Sequence, residues 1–136
     1  MIKGGRIISV EAKRDKPDQI KGLSINITID DVTVKGKDIT IAYTYNAKYE
    51  EGVGTLLMKG EILLEETEKK AKEVEKGWKE KEKKALPEDM AELVLNSINY
   101  VCGTNGTLAV KIVNLSPPML PPRITLAKGA GATARA

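Results

Sequence analysis

The chain has 136 residues, enough for one domain with its own core and too few for two of ordinary size. Its 22 Lys and Arg against 19 Asp and Glu give +3, too weak a balance to argue for nucleic acid, and its 41% hydrophobic and 30% charged residues are those of a soluble globular protein. Histidine is absent and Cys102 is the one cysteine, which excludes Ser-His and Cys-His catalysis, His-metal sites, an internal disulfide and a Cys-based zinc site.

Residues 1–12 hold no apolar signal core, and no stretch approaches the ~18 apolar residues of a membrane span, so a cytoplasmic protein without membrane contact is expected. Abundant Glu and Lys beside a single Gln suit a thermophile. Residues 6–12 read as a strand with Ile8, Val10 and Ala12 on one face, followed by a turn-rich stretch over 13–22 containing Pro17 and Asp18. From Leu23 to Asp30 apolar and polar residues alternate with a period of two. Val32 and Val34 then continue in the opposite parity, which predicts a bulge or turn near Asp30-Asp31. Residues 38–49 set Ile39, Ile41, Tyr43, Tyr45, Ala47 and Tyr49 on one face. Residues 55–64 answer with Leu56, Met58, Gly60, Ile62 and Leu64. The five-residue connection between them makes the two strands antiparallel neighbours. Leu57 and Leu63 fall on the nominally polar side, where bare leucines favour a partner.

Residues 65–84 form a charged helical segment of seven Glu and eight Lys, with five Glu-to-Lys pairs at i,i+4. Such pairs are worth only ~0.2–0.5 kcal/mol each, so the thin stripe Thr67, Ala71, Val74 and Trp78 has to anchor the helix. Gly77 is positioned to break it just before Trp78. A second helix starts at Pro87, with Glu88 and Asp89 in its first turn and an apolar stripe of Ala91, Val94, Leu95, Ile98 and Val101 or Cys102. Gly103 reads as its C-cap, Asn105-Gly106 as a turn, and 107–115 as a last strand. Residues 116–122 are Pro-rich and extended, and 128–136 read as a flexible tail. Residues 1–127 make one domain. The fold class is α+β: an antiparallel sheet of four or more strands with the C-terminal helix packed on one face, and Tyr43, Met58 and Val94 buried.

Little in the chain carries chemistry. Gly4-Gly5 and Gly129-Ala130-Gly131 lack the strand-to-helix context of a phosphate loop. Cys102, at the end of an apolar helix face with no histidine to activate it, reads as a buried inert thiol. Catalytic, cofactor and metal residues are all read as none. What remains is apolar contact. Trp78 either packs in the core or an interface, or meets another polypeptide. Met119 and Leu120 lie in a Pro-rich stretch that is either a strap over the sheet or a contact surface.

The order of elements resembles the SecB-type protein-export chaperones, and more closely the small SecB-like proteins of archaea. The residues carrying the likeness are the hairpin DITIAYTYNAKY and GTLLMKGEILL, the Pro-started LPEDMAELVLNSINYVCG, and the closing TLAVKIVNLSPPMLPPRI. The resemblance implies dimers that pair into tetramers and an ATP-independent holding of unfolded or nascent polypeptides in apolar grooves, with no enzyme activity and no cofactor. Trp78, Met119, Leu120 and Leu57 are the candidate polypeptide-binding residues. The alternative is an oligomeric adaptor for one folded partner. A nucleic-acid role for Lys13, Arg14, Lys16 and Lys21 is weakest, because no aromatic residues are interleaved with them.

Overall fold

A computed structural model describes residues 1–80 and 85–118, together with the backbone of 131–135. Four long strands come first: β1 (Ile2–Arg14), β2 (Leu23–Lys35), β3 (Asp38–Tyr49) and β4 (Gly54–Glu65). Two helices follow, α1 (Glu68–Lys79) and α2 (Glu88–Ile112), and then a short strand β5 (Gly131–Arg135). The sheet is antiparallel throughout, in the order β1-β4-β3-β2-β5. Both helices cover one face, α1 over β2 and α2 over β4, β1 and β2.

Alternation sets which face is covered. Every second residue of β3 from Ile39 to Tyr49 is buried, and Leu56, Met58, Ile62 and Leu64 of β4 complete that side. Tyr43, Met58 and Val94 are all core residues, as the patterning predicts. The parity change in β2 is a bulge: Ile29 pairs with Tyr43 and Asp31 with Ala42, leaving Asp30 between them. The Asp30 carboxylate accepts a hydrogen bond from the Thr44 hydroxyl of β3, on the uncovered face. The β2–β3 turn is the two residues Gly36-Lys37, with Gly36 at φ 61°, a left-handed conformation that glycine enters without a Cβ penalty.

Helix α1 begins at a Thr67 cap whose side chain accepts from the Lys70 amide at 3.2 Å. Ala71, Val74 and Trp78 face the core. The expected break at Gly77 does not occur; the helix continues through it to Lys79, so Trp78 keeps the phase of the stripe.

Three further expectations are corrected. Of the strand read over 107–115, residues 107–112 are instead the end of α2, which runs unbroken through Gly103, Asn105 and Gly106. The residues that signal a break satisfy themselves inside the helix. Asn105 Nδ2 donates to the Val101 carbonyl at 2.8 Å and Thr107 Oγ1 to that of Gly103 at 2.7 Å. Gly106 allows close approach: a Cβ there would lie 2.8 Å from Leu56 Cδ2. The true end comes at Asn114, at φ 56°, with Asn114 N bonded to Lys111 O and Leu115 N to Val110 O. That is a Schellman cap with asparagine in place of glycine.

In β1 a register shift between Ile7 and Ser9 brings Ile7 opposite Gly60, Val10 opposite Met58 and Ala12 opposite Leu56. Ile8 therefore leaves the face it was expected to share with Val10 and Ala12 and is 63% exposed. Within 128–136, expected as a flexible tail, the backbone of Gly131–Arg135 pairs with β2 from Thr28 to Ser24. No described helix is long and apolar enough to cross a membrane.

Candidate functional site

The three β3 tyrosines organise the region where the sheet meets the end of α2. Tyr49 donates its hydroxyl proton to the Ser116 carbonyl and Tyr45 to the Pro118 carbonyl at 3.5 Å. Tyr43 Oη accepts from the Cys102 thiol at 3.8 Å. The described part of the Pro-rich stretch, residues 115–118, is thus a strap held to the sheet by phenol hydroxyls. Burial pushes the Tyr49 phenol up to about 12 and those of Tyr43 and Tyr45 higher still. Burial also raises the Cys102 thiol to about 11, with the Tyr43 hydrogen bond opposing it. Cys102 stays protonated and inert near neutral pH.

Two grooves run along opposite flanks of α2. One, of about 520 Å³, lies between the β1–β2 loop, the helix end and the strap, and is lined by Ile20, Thr107, Lys111, Leu115 and Pro117. The other, of about 400 Å³, lies against the start of β1; Ile2, Gly5, Ile7, Tyr43 and Ile62 face Ser97, Val101 and Asn105 of the helix. Between the grooves the outer side of α2 exposes Leu93, Tyr100 (75%), Leu108 (68%) and Ile112 (84%). Residues 93–110 contain no Asp, Glu, Lys or Arg. An uncharged helix face exposing large apolar side chains costs solubility unless something covers it.

A third concavity, on the uncovered face of the sheet, is charged instead, lined by Lys3, Lys35, Asp38 and Glu61 beside Thr40 and Leu63. Lys3 bridges Asp38 and Glu65 there, each at 3.4 Å, and these carboxylates hold its ammonium pKa above the ordinary value. No group of three or more acidic or cysteine ligands able to hold a metal occurs among the described residues.

The residues singled out from sequence are not brought together. Trp78 is 8% exposed and packs inside under α1, which removes it as a contact for another chain. Leu57 is half-buried on the opposite face, across from Glu11 and Asn46. Met119 and Leu120 lie outside the described residues. Leu108 and Ile112 are hidden from sequence reading because a Gly103 cap puts them on a strand, whereas Tyr100 lies within the helix as read but off its apolar stripe. The eighteen-residue uncharged run was the available signal.

The chain matches no protein-family model, and no curated protein matches it in sequence. Among solved structures it is similar to the SecB-like chaperone Rv1957 of Mycobacterium tuberculosis, in complex with a ChAD peptide from the Rv1956 HigA1 antitoxin. The TM-score is 0.55 over 89% of each chain. The fold is SecB-like. Identity is 12%, so the likeness is one of backbone architecture.

Proposed function

We propose that this SecB-like chain is a non-enzymatic, ATP-independent chaperone-like protein that binds unfolded or nascent polypeptides. The supporting observation is the outer face of α2, uncharged from Leu93 to Val110, with Tyr100, Leu108 and Ile112 exposed between two grooves whose charged groups are Lys111 in one and Arg6 and Glu61 in the other. An extended polypeptide offers what such a surface takes: apolar side chains for the grooves, without fixed charge. The solved neighbour held a peptide, which fits the same use of the fold. Within the SecB-like proteins, the order of elements is the basis for preferring the small archaeal type. The exposed apolar side chains of the same α2 face also favour a homo-oligomer, dimer or tetramer, and a cytoplasmic location belongs to the same proposal.

The deciding experiment follows aggregation of three unrelated, chemically denatured proteins with and without equimolar chain. Suppression of all three without nucleotide, persisting at moderate salt, is the expected result, since apolar burial is not screened as exposed charge pairs are. Equal aggregation with and without the chain rejects the reading. A second reading, an oligomeric adaptor for one specific protein, is favoured by the neighbour's capture with a peptide from a single antitoxin. It predicts no general suppression and tight binding of one partner. Light scattering at micromolar concentration tests the assembly; a strict monomer counts against it.

A further inference from the structure

The two outermost of the four long strands, β1 and β2, differ in a way that bears on how a polypeptide is taken up. The β1 edge is interrupted twice, between Ile2 and Gly4 and between Ile7 and Ser9. Such bulges twist a strand and blunt it as a pairing template. The β2 edge is unbroken from Leu23 to Ile29, ahead of its own bulge at Asp30. Strand β5 lies along this regular run, with Thr28 across from Gly131 and Ser24 across from Arg135.

The occupant is an odd choice for a permanent strand. Gly131-Ala132-Thr133-Ala134-Arg135 contains no Val, Ile, Leu or aromatic residue, and glycine and alanine are among the residues strands use least. Its register sets Ala132 across from Ile27 and Ala134 across from Ile25, two side chains of the core. Five residues pair with a strand of thirteen. The edge is thus one that accepts an antiparallel strand and is paired with a short segment of poor strand formers.

We infer that the β2 edge over residues 23–29 is a docking site for an extended polypeptide that adds as an antiparallel strand, and that β5 is its removable occupant. The inference rests on the polypeptide-binding reading above and assigns the place and mode of capture. Main-chain pairing supplies sequence-independent affinity, and β-branched or aromatic residues, better strand formers than alanine, favour the incoming segment. The occupant keeps the edge from pairing with other sheets when no polypeptide is present.

The test uses the full chain and a fluorescein-labelled decapeptide of alternating Val and Thr, beside the same peptide N-methylated at every residue, which has no main-chain donor on either edge. Ala132→Pro removes the ladder donor of β5 across from Ile27 and tightens binding of the unmethylated peptide about tenfold, the factor expected if β5 covers the edge about nine-tenths of the time. The pair Asn26→Cys with Thr133→Cys joins residues directly across the ladder. Its oxidised form binds at least about tenfold more weakly and recovers on reduction, by the same argument from the fraction of open edge. Cys102 is fully buried and does not compete for the bridge.

Unchanged affinity in both variants, or an equal gain for the methylated peptide, overturns the inference. So does an Ala132→Pro chain that dimerises with no gain in peptide binding, which would make a second copy the occupant. Aggregation suppression is measured on the same samples. Suppression equal in every form leaves the holding activity standing and removes the β2 edge from it. Peptide binding that responds as described without suppression keeps the edge and removes general holding. Absence of both from every form rejects both.

Discussion

Arg14, the last residue of β1, donates from Nε to the carbonyl of Val113, 2.9 Å away at the end of α2. The same guanidinium reaches the Asn114 carbonyl, and its Nη1 donates to the carbonyls of Lys16 and Asp18 at 2.8 and 3.2 Å. One side chain therefore joins the edge strand, the β1–β2 loop and the helix terminus, and sets its charge where the helix dipole is negative. Two of these, the loop and the helix terminus, border the larger groove.

Arg14→Ala should lower unfolding stability by about 2 kcal/mol, since partly buried carbonyls lose a charged donor. Arg14→Lys should recover less than half of this, because an ammonium cannot fork to several carbonyls. Arg6→Ala is the control. Its pair with Glu61 at 2.8 Å is exposed on the Arg side and should be worth less than ~1 kcal/mol. Urea unfolding curves decide the order, and equal losses at Arg14 and Arg6 would contradict it.

Two glycines of α2 should respond with opposite signs. A Cβ at Gly103 meets nothing closer than the Pro118 carbonyl at 3.4 Å, so Gly103→Ala should gain roughly 0.5–1 kcal/mol from helix propensity. At Gly106 a Cβ would be 2.8 Å from Leu56 Cδ2, and Gly106→Ala should lose about 1–3 kcal/mol through overpacking. If Gly103 were a left-handed cap, alanine there would destabilise instead. Thermal melts of the two variants separate a continuous helix from a capped one.

Stability should stay level through neutral pH and fall in alkali. The chain has no histidine, so no side chain of ordinary pKa titrates between about pH 6 and 8. Burial raises Cys102 from 9.0 to about 11 and Tyr49 from 10.0 to about 12, with Tyr43 and Tyr45 shifted in the same direction. A group whose folded pKa is raised holds its proton more tightly when folded. Its contribution is complete below the unfolded value and is lost as pH rises toward the folded one. Urea midpoints should therefore decline from pH 9 upward, and Cys102→Ala should flatten the first part of that decline. A fall of similar size between pH 6 and 8 would contradict this origin.

Trp78→Ser and Leu108→Ser should separate core from contact. The first should cost about 3–5 kcal/mol as a large buried side chain is removed, and weaken any holding activity only through unfolding. Leu108 is exposed, so Leu108→Ser should leave the melting temperature nearly unchanged while reducing aggregation suppression or shifting the assembly toward smaller species. Circular dichroism melts beside light scattering check both. A stable Trp78→Ser with lost activity would reverse the assignment.

The sheet was legible in the chain because alternation is local. Ile39 to Tyr49 and Leu56 to Leu64 name their buried face residue by residue, and the parity change after Ile29 marks its bulge. The stripe Ala71, Val74 and Trp78 is likewise read from helical spacing. The limits of α2 were not, because Gly103, Asn105 and Gly106 are turn residues by propensity. Only the approach of the helix to Leu56 and the bonds back to Val101 and Gly103 make helix the better state there.

The candidate surface followed the same division. Which residues are apolar is a property of the sequence, but which remain exposed depends on what packs against them. Trp78 and Tyr100 look alike as lone aromatics in helical segments, and α1 turns one inward against the sheet while α2 leaves the other 75% exposed. The small residues 131–135 have no patterning to announce a strand, and their place is set by the open hydrogen-bonding edge of β2. Local periodicity thus determined the strands and their buried face. Helix length, edge pairing and the exposed face of α2 depend on contacts between residues far apart in the chain, and only the tertiary structure decided them.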